Sequence, residues 1–166
     1  MSRTLILMRH AKSSWDAPDL VDHDRPLNNR GRASARAMGD WMRAHTYRPD
    51  VAVSSTATRT GQTFVGLGLT CPVSYTRALY HAGPEAMASV LNAQTASAVL
   101  MLGHNPGIAE FAARLVKQAP RHARFADYPT GATTVIRWDV EDWKSVRWGA
   151  GVVMDFAIPR EILGQT

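Results

Sequence analysis

LILMRHAKSS (Leu5–Ser14) joins an unbroken apolar run to an arginine, a histidine, a lysine and two serines. A run this short reads as a strand, and its abrupt end puts Arg9 and His10 where the chain leaves the core. In open sheets of β-α units, ligands gather beyond the carboxyl ends of strands. The stretch therefore predicts a strand that delivers a site. Taken alone it carries little, because an arginine at a strand end serves a salt bridge equally well.

Outward from this strand, helix and strand signals alternate. Asn28 is a good N-cap for a helix through GRASARAMGDWMRAH, where Ala35, Met38, Trp41 and Met42 recur at helical spacing, and Pro49 stops it. VAVSS from Val51 reads as a second strand, followed by TATRTGQTFVGLGL as a helix with Thr56 as cap and glycines at its end. PVSY is a third strand. GPEAMASVLNAQ opens with Pro84 and Glu85 in a first helical turn. AVLML from Ala98 is a buried strand that ends in GHNPG, and an amphipathic helix is expected from Ile108, beginning near Asn105. Beyond Pro120, TTVIRWDV and SVRWGAGVVMDFAI read as two strands with EDWK as the turn between them. Four β-α pairs followed by strands predict a three-layer α/β/α sandwich around a mostly parallel central sheet.

The 166 residues fit one domain, expected to span 1–166, and 45% hydrophobic content is ordinary for a globular chain that buries a core. The one cysteine, Cys71, excludes an internal disulfide and a cysteine-based zinc site. The apolar run at the N-terminus is too short for a signal peptide or a membrane span, so a cytoplasmic protein is expected, with no membrane partner. A net charge of +5, carried mostly by arginine, favours anionic partners. The basic residues are scattered, without a dense run or regular aromatic interleaving, which argues against nucleic acid as the partner.

Three strand ends fall on one rim: Arg9-His10, Ser54-Ser55 with Arg59, and His104-Asn105. Guanidinium forks hold phosphoryl oxygens through paired hydrogen bonds, and such anion clamps supply most of phosphoryl-transfer catalysis. A neutral imidazole at His10 attacks phosphorus if one ring nitrogen is held and the other aims its lone pair at the target. Neighbouring Arg9 and Arg59 disfavour the imidazolium. His104 is suited to donate to phosphoryl oxygens. A metal is not expected, because no carboxylates stand beside the histidines and the guanidiniums repel a cation.

LMRHAKSS, DRPLNNRGR, SSTATRTGQT, LYHAG and LGHNPG, in this order and spacing, resemble the histidine phosphatase superfamily, the phosphoglycerate-mutase-like group. The resemblance is closer to its short branch, the SixA-type phosphohistidine phosphatases, and YPTGATTVIRW extends it. It implies a phosphoglycerate-mutase-like fold and a phosphatase that needs no cofactor or metal. It also implies His10 as the phosphorylated nucleophile, with Arg9, Arg59 and His104 as the phosphate pocket. Ser13 or Lys12, and Asn105, are the implied substrate contacts. Many superfamily enzymes carry a glutamate proton donor where this sequence reads LYHAG; here the general acid is His81, Glu85 or none.

That departure has a chemical correlate. An O-phosphate ester expels an alkoxide unless an acid protonates it, whereas imidazole leaves readily from a phosphorus-nitrogen bond. The expected substrate is therefore phosphohistidine on a signalling protein. The alternatives are a small phosphomonoester and, without turnover, a phosphate-binding module. Asp24 and Arg25 are expected to fix the loop before the first helix, and Arg30 and Arg32 to lie on its solvated face. His23, His45 and His122 are expected in surface or packing roles, and Trp138, Trp143 and Trp148 in core and sheet packing.

Overall fold

In the computed structural model, which describes residues 1–164, β1 (Arg3–Arg9) is buried on both faces. Leu5 and Leu7 enter one core and Ile6 and Met8 the other. Alternation in a single strand thus requires cover on both sides of the sheet. That cover is supplied by α1 (Asn29–Ala44) and α2 (Thr58–Leu67) on the Ile6 side, and by α3 (Pro84–Asn92) and α4 (Gly107–Leu115) on the Leu5 side. Each fully buried leucine or isoleucine contributes roughly 1.5–3 kcal/mol relative to exposure.

The remaining strands are β2 (Val51–Ser55), β3 (Val73–Thr76), β4 (Ala98–Gly103), β5 (Thr133–Trp138) and β6 (Val152–Ala157), followed by the short α5 (Pro159–Ile162). They form one sheet in the order β3-β2-β4-β1-β5-β6. β1, β2, β3 and β4 run parallel, and β5 lies antiparallel between β1 and β6. The three-layer, mostly parallel architecture expected from the alternation of signals is present. Among the described residues no helix is long and apolar enough to cross a membrane.

Local expectations differ in four places. The cap of α2 is Ala57, without a side-chain hydrogen bond, while Thr56 Oγ1 lies 2.8 Å from His23 Nε2. α4 starts at Gly107 rather than near Asn105 and stops at Leu115, because Val116 turns extended and bridges Gly151. Only Val152–Ala157 of the last predicted strand is strand; the chain before it makes a 3-10 turn at Trp143–Ser145. Trp148 is accordingly outside the sheet and 44% exposed, lying over Phe111 and the guanidinium of Arg114. Trp138 and Trp143 are core. As expected, Asn28 caps α1 by accepting from Gly31 N–H, and Gly68 ends α2 at φ 68°.

Candidate active site

The strand order makes β1, β4 and β2 neighbours, so Arg9, Gly103 and Ser55 end side by side on one rim. His10 and His104 follow the first two directly, and their rings lie 5.2 Å apart between centroids. Both are buried. His10 Nδ1 donates to the carbonyl of Ala11 at 2.7 Å, which leaves the Nε2 lone pair free. Burial, reinforced by Arg9, Arg59 and Arg25 and only partly opposed by the Ala11 bond, holds the His10 pKa down to about 3. The ring is neutral at physiological pH.

His104 is lowered in the same sense, chiefly by burial and then by His10 and Arg59. Its Nε2 lies 2.8 Å from Ser55 Oγ, which already accepts from Ala57 N–H. Directing the Ser55 proton to Nε2 assigns the His104 proton to Nδ1. That nitrogen is buried without a partner, and so are Arg9 Nε and Arg59 Nε. An unmet buried donor costs about 1–3 kcal/mol. Three such donors at the end of one strand group fit an anion with several oxygens.

The two guanidiniums are otherwise anchored. Arg9 Nη1 donates to Tyr128 O at 3.1 Å. Arg59, from the first turn of α2, donates through Nη1 to Asp22 O at 2.7 Å and through Nη2 to Asp22 Oδ2 at 3.0 Å. Thr63 joins this helix to the strand end, because its hydroxyl accepts from Ala11 N–H and donates to Arg59 O.

Asp22 is a centre that motif reasoning missed. Its Oδ2 also accepts from Tyr80 O–H at 2.6 Å and faces His81 Nε2 at 3.2 Å, while Oδ1 accepts from Arg25 Nε. Partial burial pushes its carboxyl up, and the bonds from Tyr80 and Arg59 outweigh this and hold it well below the usual carboxylate range. The residue sits in a 3-10 turn, Asp22–Asp24, with neither periodicity nor a motif to mark it. His23, expected in a surface or packing role, packs edge-on against Tyr80 beside it.

The other predicted residues divide. His81 stands at the mouth, with its side chain 58% exposed and its ring 5.8 Å from that of His104. Glu85 is exposed and paired with Arg114. Ser13 is buried and accepts from Arg25 Nη1 at 2.8 Å, so Arg25 ties the loop as expected. Lys12 is exposed. Asn105 commits its amide nitrogen to the carbonyls of Asp127 and Tyr128. Among the described residues no three His, Cys, Asp or Glu side chains gather as a metal-ligand set.

Residues 5–81 match the profile of the histidine phosphatase superfamily, branch 1. A proposed phosphohistidine phosphatase SixA from Nakamurella multipartitia is 31% identical, with a TM-score of 0.85 over 96% of this chain and 97% of its own. The chain belongs to the histidine phosphatase superfamily. A second solved structure, a proposed SixA from Agrobacterium tumefaciens, is 32% identical over 95% of this chain and 98% of its own, at a TM-score of 0.79. An uncharacterised Mycobacterium tuberculosis protein is 34% identical over 161 residues, 92% of this chain and all of the relative. The histidine phosphatase fold of this chain thus extends well past the residues its family profile covers.

Proposed function

We propose that the protein hydrolyses phosphohistidine on a partner protein through a phosphoryl group carried transiently by His10. The observation that supports this best is the pairing of a neutral, Nδ1-anchored His10 with three unmet buried donors, Arg9 Nε, Arg59 Nε and His104 Nδ1. Phosphoryl groups have three non-bridging oxygens, and such donors stabilise charge on them in the transition state. Guanidinium and imidazole donors do here what a metal ion does elsewhere, so no cofactor enters the scheme.

In the first step His10 Nε2 bonds to phosphorus as the bond from phosphorus to the substrate imidazole breaks. The leaving nitrogen needs one proton to depart as neutral imidazole. In this scheme His81, exposed and facing Asp22 through Nε2, carries it from solvent. In the second step water attacks phosphorus on His10, gives up a proton and releases orthophosphate with neutral His10. Glu85, engaged with Arg114, is not available as the strong acid an alkoxide would need. This favours a phosphorus-nitrogen substrate over alkyl phosphate esters.

The test is rapid-quench reaction of wild type and His10→Ala with a phosphohistidine-bearing domain, following phosphate release and label on the enzyme. Wild type is expected to release phosphate and to carry acid-labile, base-stable label that His10→Ala lacks. Turnover of small esters without turnover of phosphohistidine would establish a phosphomonoesterase instead. Phosphate binding without turnover of either would make the chain a binding module.

A further inference from the structure

Lys12, Arg30, Arg124 and Arg160 line one surface groove of about 180 Å³, to which Ser34 and Thr130 add hydroxyls. Four separate segments build it: the loop after β1, the first turns of α1, the chain before β5, and α5. Lys12 lies two residues beyond His10. Thr130 precedes Gly131, whose N–H donates to the carbonyls of Arg9 and His10. The groove therefore shares a wall with the strand end that carries the candidate nucleophile.

Two of these cations lack a carboxylate partner among the described residues. Arg124 has its Nε on Asp127, while Lys12 and Arg160 form no ion pair among the described residues. Cations gathered without matching carboxylates repel one another, and the repulsion is relieved when anions enter. Guanidinium forks match carboxylates in geometry as well as in charge. The apolar part of the lining is Pro129, Ile158 and Pro159, with no aromatic ring on which a base could stack. An open groove with cations contributed by four segments suits several carboxylates spread over a folded surface.

We propose that this groove docks an acidic face of the phosphohistidine-bearing protein, seating Asp and Glu side chains against Lys12, Arg30, Arg124 and Arg160 while the phosphohistidine reaches His10. The inference rests on the reaction proposed above and adds the means by which its protein substrate is selected. Docking energy of this kind raises kcat/KM for the protein and leaves the chemistry on a small substrate unchanged.

The experiment compares two substrates, a phosphohistidine domain with Asp and Glu around its modified histidine and N-phosphoimidazole, with the double variant Arg30→Glu/Arg160→Glu. A glutamate in the first turn of α1 suits a helix start, and Arg160 is exposed, so the variant should fold. The control, Arg48→Glu/Arg147→Glu, makes the same charge change at the opposite rim of the sheet. The groove variant is expected to lose about tenfold or more in kcat/KM on the domain and to stay within about twofold of wild type on phosphoimidazole. The control is expected to match wild type on both. Glu→Lys substitutions in the domain are expected to restore part of the loss.

An unchanged rate on the domain overturns the proposal, and so does an equal loss on both substrates or an equal loss in the control. Wild type that consumes phosphoimidazole but not the domain overturns docking and leaves the chemistry standing. Wild type that consumes neither overturns the reaction itself, and docking with it.

Discussion

Asp22 takes one N–H from each terminal nitrogen of Arg59, so this guanidinium meets an incoming anion in an orientation that Asp22 sets. Asp22→Asn would weaken that hold and remove a negative charge that competes with phosphate. Turnover of phosphohistidine is expected to fall about tenfold or more as the clamp loosens, while orthophosphate inhibits at lower concentration than in wild type. An unchanged kcat together with an unchanged inhibition constant would reduce Asp22 to a surface tie. Ser55 acts one bond farther away. Ser55→Ala removes the group that assigns the His104 proton to Nδ1, and kcat/KM is expected to drop about 10–100-fold, as for other residues that orient a reacting imidazole. A variant with wild-type kinetics would show that His104 orients itself. Arg9, His10 and His104 were legible as candidates because they stand at strand ends inside recognisable motifs, and Arg59 because its motif opens the helix after β2. Asp22 was not, since what makes it matter is contact with Arg59 across 37 residues of chain and with Tyr80 across 58, and no local pattern encodes such contacts.

Between elements, two close approaches set the shape of the rim. A methyl group on Gly107, at the start of α4, would lie 1.7 Å from the carbonyl oxygen of Ala82. Gly107→Ala must therefore push α4 away from the segment that carries Tyr80 and His81. Overpacking of this kind costs about 1–3 kcal/mol, and a lower urea midpoint is expected together with reduced turnover. If stability falls while turnover holds, the segment does not need α4 to place it. The second approach is Tyr128, fully buried at φ 50°, whose hydroxyl donates to Leu7 O in β1 and lies 2.8 Å from Thr134 Oγ1. Its own carbonyl accepts from Arg9 and Asn105. One residue outside any strand thus couples β1, β5 and the site. The alternating β-α order was readable because apolar periodicity reports which faces are covered, as the division of Leu5 and Leu7 from Ile6 and Met8 shows. The chain between β4 and β6 was read less well. Val116 leaves its helix to bridge Gly151, and Trp148 leaves the sheet to cover Phe111, both through partners distant in sequence.

For the whole molecule, the two buried histidines make folding stability depend on pH in a definite direction. In the unfolded chain each takes up a proton near its ordinary pKa of about 6.5. In the folded protein His10 stays neutral down to about pH 3, and His104 is lowered likewise. Between these limits the unfolded state binds more protons than the folded one, so stability falls as pH drops below about 6.5. A single such group gives a slope of about 1.4 kcal/mol per pH unit once fully below its unfolded pKa, and two groups that both stay neutral in the folded protein approach twice that. Asp22 adds its own loss only at lower pH, because its carboxyl is depressed and must be protonated to lose its bonds to Arg59 and Tyr80. Urea midpoints taken from pH 7.5 to 4.5 are therefore expected to decline from about pH 6.5 downward, well before any carboxylate titrates. His10→Gln, which removes one of the two groups, should flatten that decline while leaving its onset in place. Orthophosphate bound to Arg9, Arg59 and His104 should raise the midpoint of wild type by mass action. A wild-type curve level down to pH 5 would mean that the buried pair finds room for a proton, and the neutral nucleophile on which the proposed reaction depends would lose its physical basis.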